Sequence, residues 1–266
     1  MPAGDLRIDG APATAGDLAH LALVNYGAYT SFRVEHGAVR GLDLHLARLE
    51  ASAVELFGAA VGEDRLRGLM REAVAGRPEC WLRISLFSPE IGPRTPEWNG
   101  APRVLTAVSP PPPPLADSLR LDVQRYSRSA PHLKHAATFD LIRARRLARA
   151  SGFDDALFVD GAGRISEGSL WNIGFIEGER VVWPDAPMLA GVGQALIRRG
   201  LAGAELDDAV EPVGLHDLPR FEAAFVCNSA TPACPVAAVG RHQLALRPDL
   251  IKRVRTAWAS NAPQPI

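Results

Sequence analysis

Of the 29 basic residues in this 266-residue chain, only Lys134 and Lys252 are lysines. Arginine replaces lysine on a solvated surface at little cost, but it stays protonated and cannot form an imine. A lysine in so arginine-biased a chain therefore asks for a reason. Lys252 lies in Ile251-Lys-Arg-Val-Arg255 on a predicted terminal helix, where chance survival explains it. Lys134 lies in Pro131-His-Leu-Lys-His135, at the end of a connector and just before a predicted helix, where its amine can point into a cleft. Four other groups have chemistry to offer. Glu167 is an acid in the hairpin Ile165–Ile173, whose strands are otherwise apolar. Gly191-Val192-Gly193 opens a helix, and the first N–H groups of a helix are available to an anion. Asn228-Ser229-Ala230-Thr231 is a loop of small and polar residues joining two strands. His45-Leu-Ala-Arg48-Leu49 supplies an arginine from a largely apolar helix. The set comprises a titratable amine, a carboxylate, an anion cradle and a guanidinium suited to phosphate.

Each group also has a purely structural reading. Arg48 can be a helix-surface charge, and Glu167 a hairpin acid paired with Arg164. Ser229 can simply cap a turn. His132 and His135 flank the lysine at a spacing a metal could use. No third or fourth ligand accompanies them, and Cys227 and Cys234 fall on a strand pattern, so no metal site is expected. Gly161 and Gly163 lack the full G-x-G-x-x-G and fit a hairpin turn.

The elements that must position these groups can be read from periodicity and turn signals. Residues 1–12 read as a short strand and turn, and Tyr29–Val34 as a strand turned by His36-Gly37. Asp43 is placed to cap a helix in which Leu46, Leu49, Ala53 and Phe57 recur at helical spacing, with a second helix over 63–75. Strands are expected at 81–87 and 103–108. The five prolines 110–114 make a stiff, extended connector, followed by a strand at 119–123. A helix is expected over 135–151, ending at Gly152, then a series of short strands with tight turns from Ala156 to Trp183. A helix from Gly191 to Arg199, strands at 222–227 and 235–239, and a closing helix from Pro248 complete the chain. The architecture is α+β: a small N-terminal domain over 1–115, an interdomain connector over 116–134, and a larger strand-rich, barrel-like domain over 135–266.

Composition narrows the class. A formal net charge of −1 provides no general pull toward nucleic acid or an anionic membrane. The N-terminal MPAGDLRIDG is not a signal peptide, and no run of 18 uncharged apolar residues predicts a membrane span. Three sparse cysteines, Cys80, Cys227 and Cys234, suit a reducing cytoplasm.

From about residue 4 to 260 the chain resembles the class IV aminotransferases, the fold-type IV pyridoxal-phosphate enzymes. Asp155-Ala-Leu-Phe-Val-Asp-Gly-Ala-Gly-Arg-Ile-Ser-Glu-Gly-Ser-Leu-Trp-Asn-Ile173 is similar to the family's "DEAL…D…G.V.EG…N.F" stretch. His45-x-x-Arg48-Leu49 resembles its phosphate-binding H-x-x-R-L, and Leu189–Gly193 its turn before the phosphate helix. Cys227–Val236 resembles its closing small-residue loop, most nearly that of the lyase branch. Lys134 falls where the family places its Schiff-base lysine, 33 residues before Glu167. The resemblance implies a two-lobed fold and a pyridoxal 5'-phosphate cofactor. Lys134 and Glu167 would be catalytic, the first carrying the cofactor and the second paired with its pyridine nitrogen. Arg48, the N–H groups of Val192 and Gly193, Ser229 and Ala230 would hold the phosphate. A homodimer acting on a small amino donor and a keto acid is implied too. Two departures stand out. Phe139 occupies about the place of a tyrosine that bonds the cofactor's 3′-oxygen in many members, and Gly193 replaces a threonine or isoleucine. Three activities stay open: amino transfer, pyruvate elimination from aminodeoxychorismate, and cofactor binding without turnover.

Overall fold

Alternation builds the first sheet. The computed structural model describes residues 5–113 and 115–266. The first four residues of the expected opening strand, and Pro114 of the proline run, lie outside the described residues. The chain divides into two compact units, the first taking it to Pro112 and adding Leu133–Ala137 and Pro263–Ile266.

In the first unit β1 (Asp5–Ile8) and β2 (Ala11–Pro12) form a hairpin, followed by α1 (Ala15–Leu23). β3 (Ala28–Glu35) and β4 (Ala38–Arg40) come next, then α2 (Leu42–Phe57) and α3 (Glu63–Val74), then β5 (Glu79–Phe87) and β6 (Arg103–Ser109). The sheet runs β4-β3-β5-β6-β1-β2, with the C-terminal strand Pro263–Pro265 beside β4. Along β3, Ala28, Thr30, Phe32 and Val34 are buried in strict alternation, the mark of a sheet covered on one face. The cover is α2, whose Leu42, Leu46, Leu49, Ala53 and Phe57 are buried with Phe32 and Val34. Each large apolar side chain buried there contributes roughly 1.5–3 kcal/mol. The helix begins differently from the expectation. Gly41, in the left-handed region at φ 73°, is its N-cap, and Asp43 lies within the first turn, where its charge favours the helix dipole. α1 has no counterpart among the elements expected from periodicity. Thr14 and Asp17 cap it reciprocally, but it buries no residue, so it has no apolar stripe to read.

In the second unit β7 (Leu119–Arg125) precedes α4 (Phe139–Ala150). Then come β8 (Asp155–Val159), β9 (Ile165–Gly168), β10 (Asn172–Glu177), β11 (Arg180–Pro184) and α5 (Val192–Gly200). β12 (Asp207–Glu211), β13 (Ala223–Cys227), β14 (Cys234–Val239), β15 (His242–Gln243) and α6 (Pro248–Ala259) complete it. Hydrogen bonds run β10-β13-β14-β7-β8-β9, and β9 pairs back to β10, closing a six-stranded barrel. Closure removes the exposed sheet edge. Leu121, Leu157, Ile173, Phe175, Val226 and Val236 belong to one buried cluster from these strands. α5 and α6 cover Trp183 and Phe225 in a second, and α4 covers Phe158 in a third. β7 and β8 are parallel, as are β11 and β12, and α4 and α5 supply the crossovers such pairs need. α4 starts four residues later than expected. His135 bridges Ala28 as an antiparallel partner and Ala136 N donates to Gly27 O at 2.8 Å. Those backbone bonds to β3 hold the segment extended and postpone the helix.

Candidate functional site

Lys134 sits in a segment recruited by β3. Tyr29 N donates to Lys134 O at 2.9 Å, which ties the lysine backbone to β3. Its Nζ stands 4.9 Å from the centroid of the Tyr29 ring, and the Arg83 guanidinium carbon lies 3.7 Å from the same centroid. Burial lowers the Arg83 pKa from its ordinary value, and its Nε donates to Ser85 Oγ at 3.1 Å. His45 and Arg48 lie three residues apart on α2, hence on one face. Arg48 Nη2 donates to Thr30 Oγ1 at 3.0 Å, and Thr30 Oγ1 is 2.6 Å from His45 Nδ1. Burial first, then the charges of Arg48 and Lys134, push the His45 pKa well below its ordinary value. The first unit thus gathers an amine and a guanidinium around a neutral imidazole.

The second unit holds the acid. Glu167 is buried on β9, with Arg128 Nη1 3.9 Å from its Oε1. The alternative pairing with Arg164 does not form: Arg164 Nε and Nη2 bond Asp160 Oδ2 at 2.9 and 2.8 Å. Tyr126 stands near the same charges. Burial first, then Asp140, raises its pKa, Glu167 adds to the rise, and Arg128 opposes it. Asp155 explains why an acid opens this stretch. It accepts from Ser169 Oγ at 2.5 Å, Trp171 Nε1 at 3.0 Å and Ala156 N at 2.8 Å. That network pins the turn between Glu167 and Asn172. Asn172 faces Glu167 across the barrel closure, and its Nδ2 donates to Leu189 O at 2.8 Å, tying the turn before α5 to the strand that faces the acid.

α5 begins at Val192 with Gly191 as N-cap and no side-chain cap. A Cβ at Gly191 would collide with Asn172 Oδ1, and one at Gly193 would lie 2.8 Å from Asn228 O. The Gly193 departure therefore has a cause: the backbone of the 228 loop lies against it. In that loop Asn228 Oδ1 accepts from Ala230 N and Thr231 N, both at 2.9 Å. Val192 and Gly193 are buried, Ser229 is half-buried and Ala230 is exposed with its N–H committed to Asn228. Phe139 opens α4, has no hydroxyl and is 73% exposed. Arg94 is exposed. Tyr29, Thr30, Arg83, Tyr126, Arg128 and Asn172 stand beside the candidate residues without being among the site residues expected from the sequence. Arg128 lies six positions before Lys134, and Asn172 stands within the quoted family stretch; both were visible signals.

The second unit carries a closed six-stranded barrel with a buried carboxylate and an uncapped helix start, and the first carries an amine and an arginine beside a buried imidazole. The family model described as "Amino-transferase class IV" matches residues 27–239. The chain belongs to the class IV aminotransferase family, whose members use pyridoxal phosphate. Among solved structures, the branched-chain aminotransferase from the thermophilic archaeon Thermoproteus uzoniensis, with norvaline, is 18% identical with a TM-score of 0.82, covering 95% of this chain and 92% of its own. The Escherichia coli branched-chain amino acid aminotransferase is 18% identical with a TM-score of 0.82, again covering 95% and 92%. A hypothetical aminotransferase from Mycobacterium tuberculosis, in a PLP-bound form, is 20% identical with a TM-score of 0.78, covering 97% and 99%. These likenesses establish the fold. No curated protein matches the sequence.

The residues present fit pyridoxal phosphate. Each unit holds groups of the kind that cofactor needs: Arg48 a guanidinium and Lys134 an amine in the first, Glu167 a buried carboxylate and the uncapped start of α5 its helix-start N–H groups in the second.

Proposed function

We propose that the chain is a pyridoxal-phosphate-dependent aminotransferase that moves an amino group from an amino acid or amine to a 2-oxo acid, with Lys134 bound covalently to the cofactor. The observation that carries this reading is the placement of Lys134: a lysine held by backbone bonds to β3, whose charge reaches the same buried imidazole as that of Arg48. When bound, the cofactor supplies an electron sink for charge developing at the substrate α-carbon. The Lys134 amine would anchor the cofactor and, when free, would move the proton between the substrate α-carbon and the cofactor's C4′. Glu167 holds a proton at the pyridine nitrogen. Arg48, the N–H groups of Val192 and Gly193, and Ser229 bind the phosphate, with Ala230 lining it. The chain works in the cytoplasm as a homodimer. The apolar side chains of Phe139, Ile142 and Leu147 exposed on α4 support association with a second copy.

Borohydride treatment of the yellow purified protein should fix the cofactor on the peptide carrying Lys134. A reducible adduct that persists in Lys134→Ala protein would sink the assignment. A second reading, aminodeoxychorismate lyase, is favoured by the Cys227–Val236 loop, which resembles that of the lyase branch. Pyruvate released from aminodeoxychorismate without an amino acceptor would select it. Amino transfer to 2-oxoglutarate or pyruvate would select the transaminase. Cofactor uptake with neither reaction would mark a binding protein without turnover.

A further inference from the structure

Thr30 is buried at a junction of three polar groups. Its single hydroxyl has one proton to give and two lone pairs to receive with. Arg48 Nη2, which can only donate, fills one lone pair at 3.0 Å. His45 Nδ1, 2.6 Å away on the other side, either takes the Thr30 proton or donates to the second lone pair, which leaves that proton no side-chain acceptor among the described residues. His45 is itself buried, and its ring lies 4.6 Å from that of Phe32, so the imidazole is clamped in orientation. A second donor would require His45 to be charged or in the other tautomer, and the nearby cations Arg48 and Lys134 act against the charged form. The neutral ring with its proton on Nε2 satisfies all three groups at once, and each bond then runs in one direction.

We infer that His45 and Thr30 are positioning residues for Arg48: a hydrogen-bond relay from Arg48 Nη2 to Thr30 Oγ1 to His45 Nδ1 fixes the rotation of the guanidinium that receives the cofactor phosphate. The relay rests on the proposed aminotransferase function and names what holds its phosphate-binding arginine in place. β3 contributes Thr30 and α2 contributes both other members, so the relay also registers the helix against the strand. Its chemical consequence is selective. It concerns the phosphate alone and leaves the aldehyde end of the cofactor untouched.

The test compares pyridoxal phosphate with pyridoxal, which lacks the phosphate, by titrating each into cofactor-free protein. Thr30→Val removes the hydroxyl at nearly constant shape. It should weaken pyridoxal phosphate about tenfold and leave pyridoxal unchanged. Thr30→Ser should restore wild-type affinity. In an Arg48→Met background, Thr30→Val should add less than about twofold, because its effect passes through Arg48. Wild-type phosphate-cofactor binding by Thr30→Val, equal weakening of both ligands, or a full effect without Arg48 would each overturn the relay. Nitrogen-15 spectra of the cofactor-free wild type give an independent answer: Nδ1 of His45 should be the unprotonated nitrogen, and a proton there overturns the relay. A wild type that takes up no pyridoxal phosphate would instead overturn the functional reading itself, and this inference with it.

Discussion

Arg128 stands 3.9 Å from Glu167, close enough for attraction and too far for a hydrogen bond. Both side chains are buried, where an opposite charge is worth more than in water. Glu167→Gln keeps the volume and removes the charge that would hold a proton on the pyridine nitrogen. Single-turnover amino transfer should slow by about 10²–10⁴-fold while the Lys134 adduct still forms. An unchanged rate would remove Glu167 from the proposed role. His45 supports a different expectation. Its pKa in the folded chain lies well below its ordinary 6.5. As pH falls through about 6.5 the unfolded chain takes up a proton that the folded chain does not, so stability drops, by at most about 1.4 kcal/mol per pH unit. The thermal midpoint of cofactor-free protein should therefore fall from pH 7 to pH 5, and His45→Asn should flatten that part of the curve. A variant as acid-sensitive as wild type would contradict this.

At the scale of elements, the region around Glu167 is a set of ties rather than a hairpin alone. Asp155 on β8 holds Ser169 and Trp171, and Asn172 on β10 holds Leu189, so the acid and the start of α5 share one support. Gly193 is the tightest point of that support. Gly193→Ala would push a methyl group to 2.8 Å from Asn228 O, a backbone atom held in its own turn. A cost of about 1–3 kcal/mol is expected, read as a lower unfolding midpoint. Pyridoxal phosphate should also bind at least about tenfold more weakly, since the N–H cradle moves with the helix start. A variant with wild-type stability and affinity would show that the loop yields freely. The Glu167 hairpin, the α2 stripe and the glycines before α5 were all legible in sequence, because period and turn chemistry are local. α1 and residues 135–138 were not. The first hides no apolar face, and the second owes its extended form to β3, more than a hundred positions earlier.

At the scale of the whole molecule, the chain crosses from one unit to the other more than once. It leaves the first after Pro112, lends it Leu133–Ala137, and gives it Pro263–Ile266 at the end. The strand beside β4 therefore belongs to a sheet whose other strands lie within the first 109 residues, and the lysine-bearing segment bridges that sheet at Ala28. Phe139, Ile142 and Leu147 leave apolar surface exposed on α4 of the second unit. Light scattering should give twice the mass of one chain, and Phe139→Asp with Ile142→Asp should shift the protein toward monomer. A wild-type monomer that still takes up pyridoxal phosphate would refute the dimer.

The sequence by itself determined the chemistry on offer. A lone lysine before a helix, an acid among apolar strands, an arginine on an apolar helix and a glycine-flanked helix start are residue types whose reactivity is intrinsic. Only the tertiary structure decided their partners. Thr30, His45 and Arg48 lie on β3 and α2, Arg128 and Glu167 are separated by 39 positions, and closure of the barrel sets Asn172 opposite Glu167. Hydrogen bonds and ion pairs act over a few ångströms, whereas local pattern reaches only a few residues along the chain. Contacts of that kind become fixed when sheets pair and helices pack.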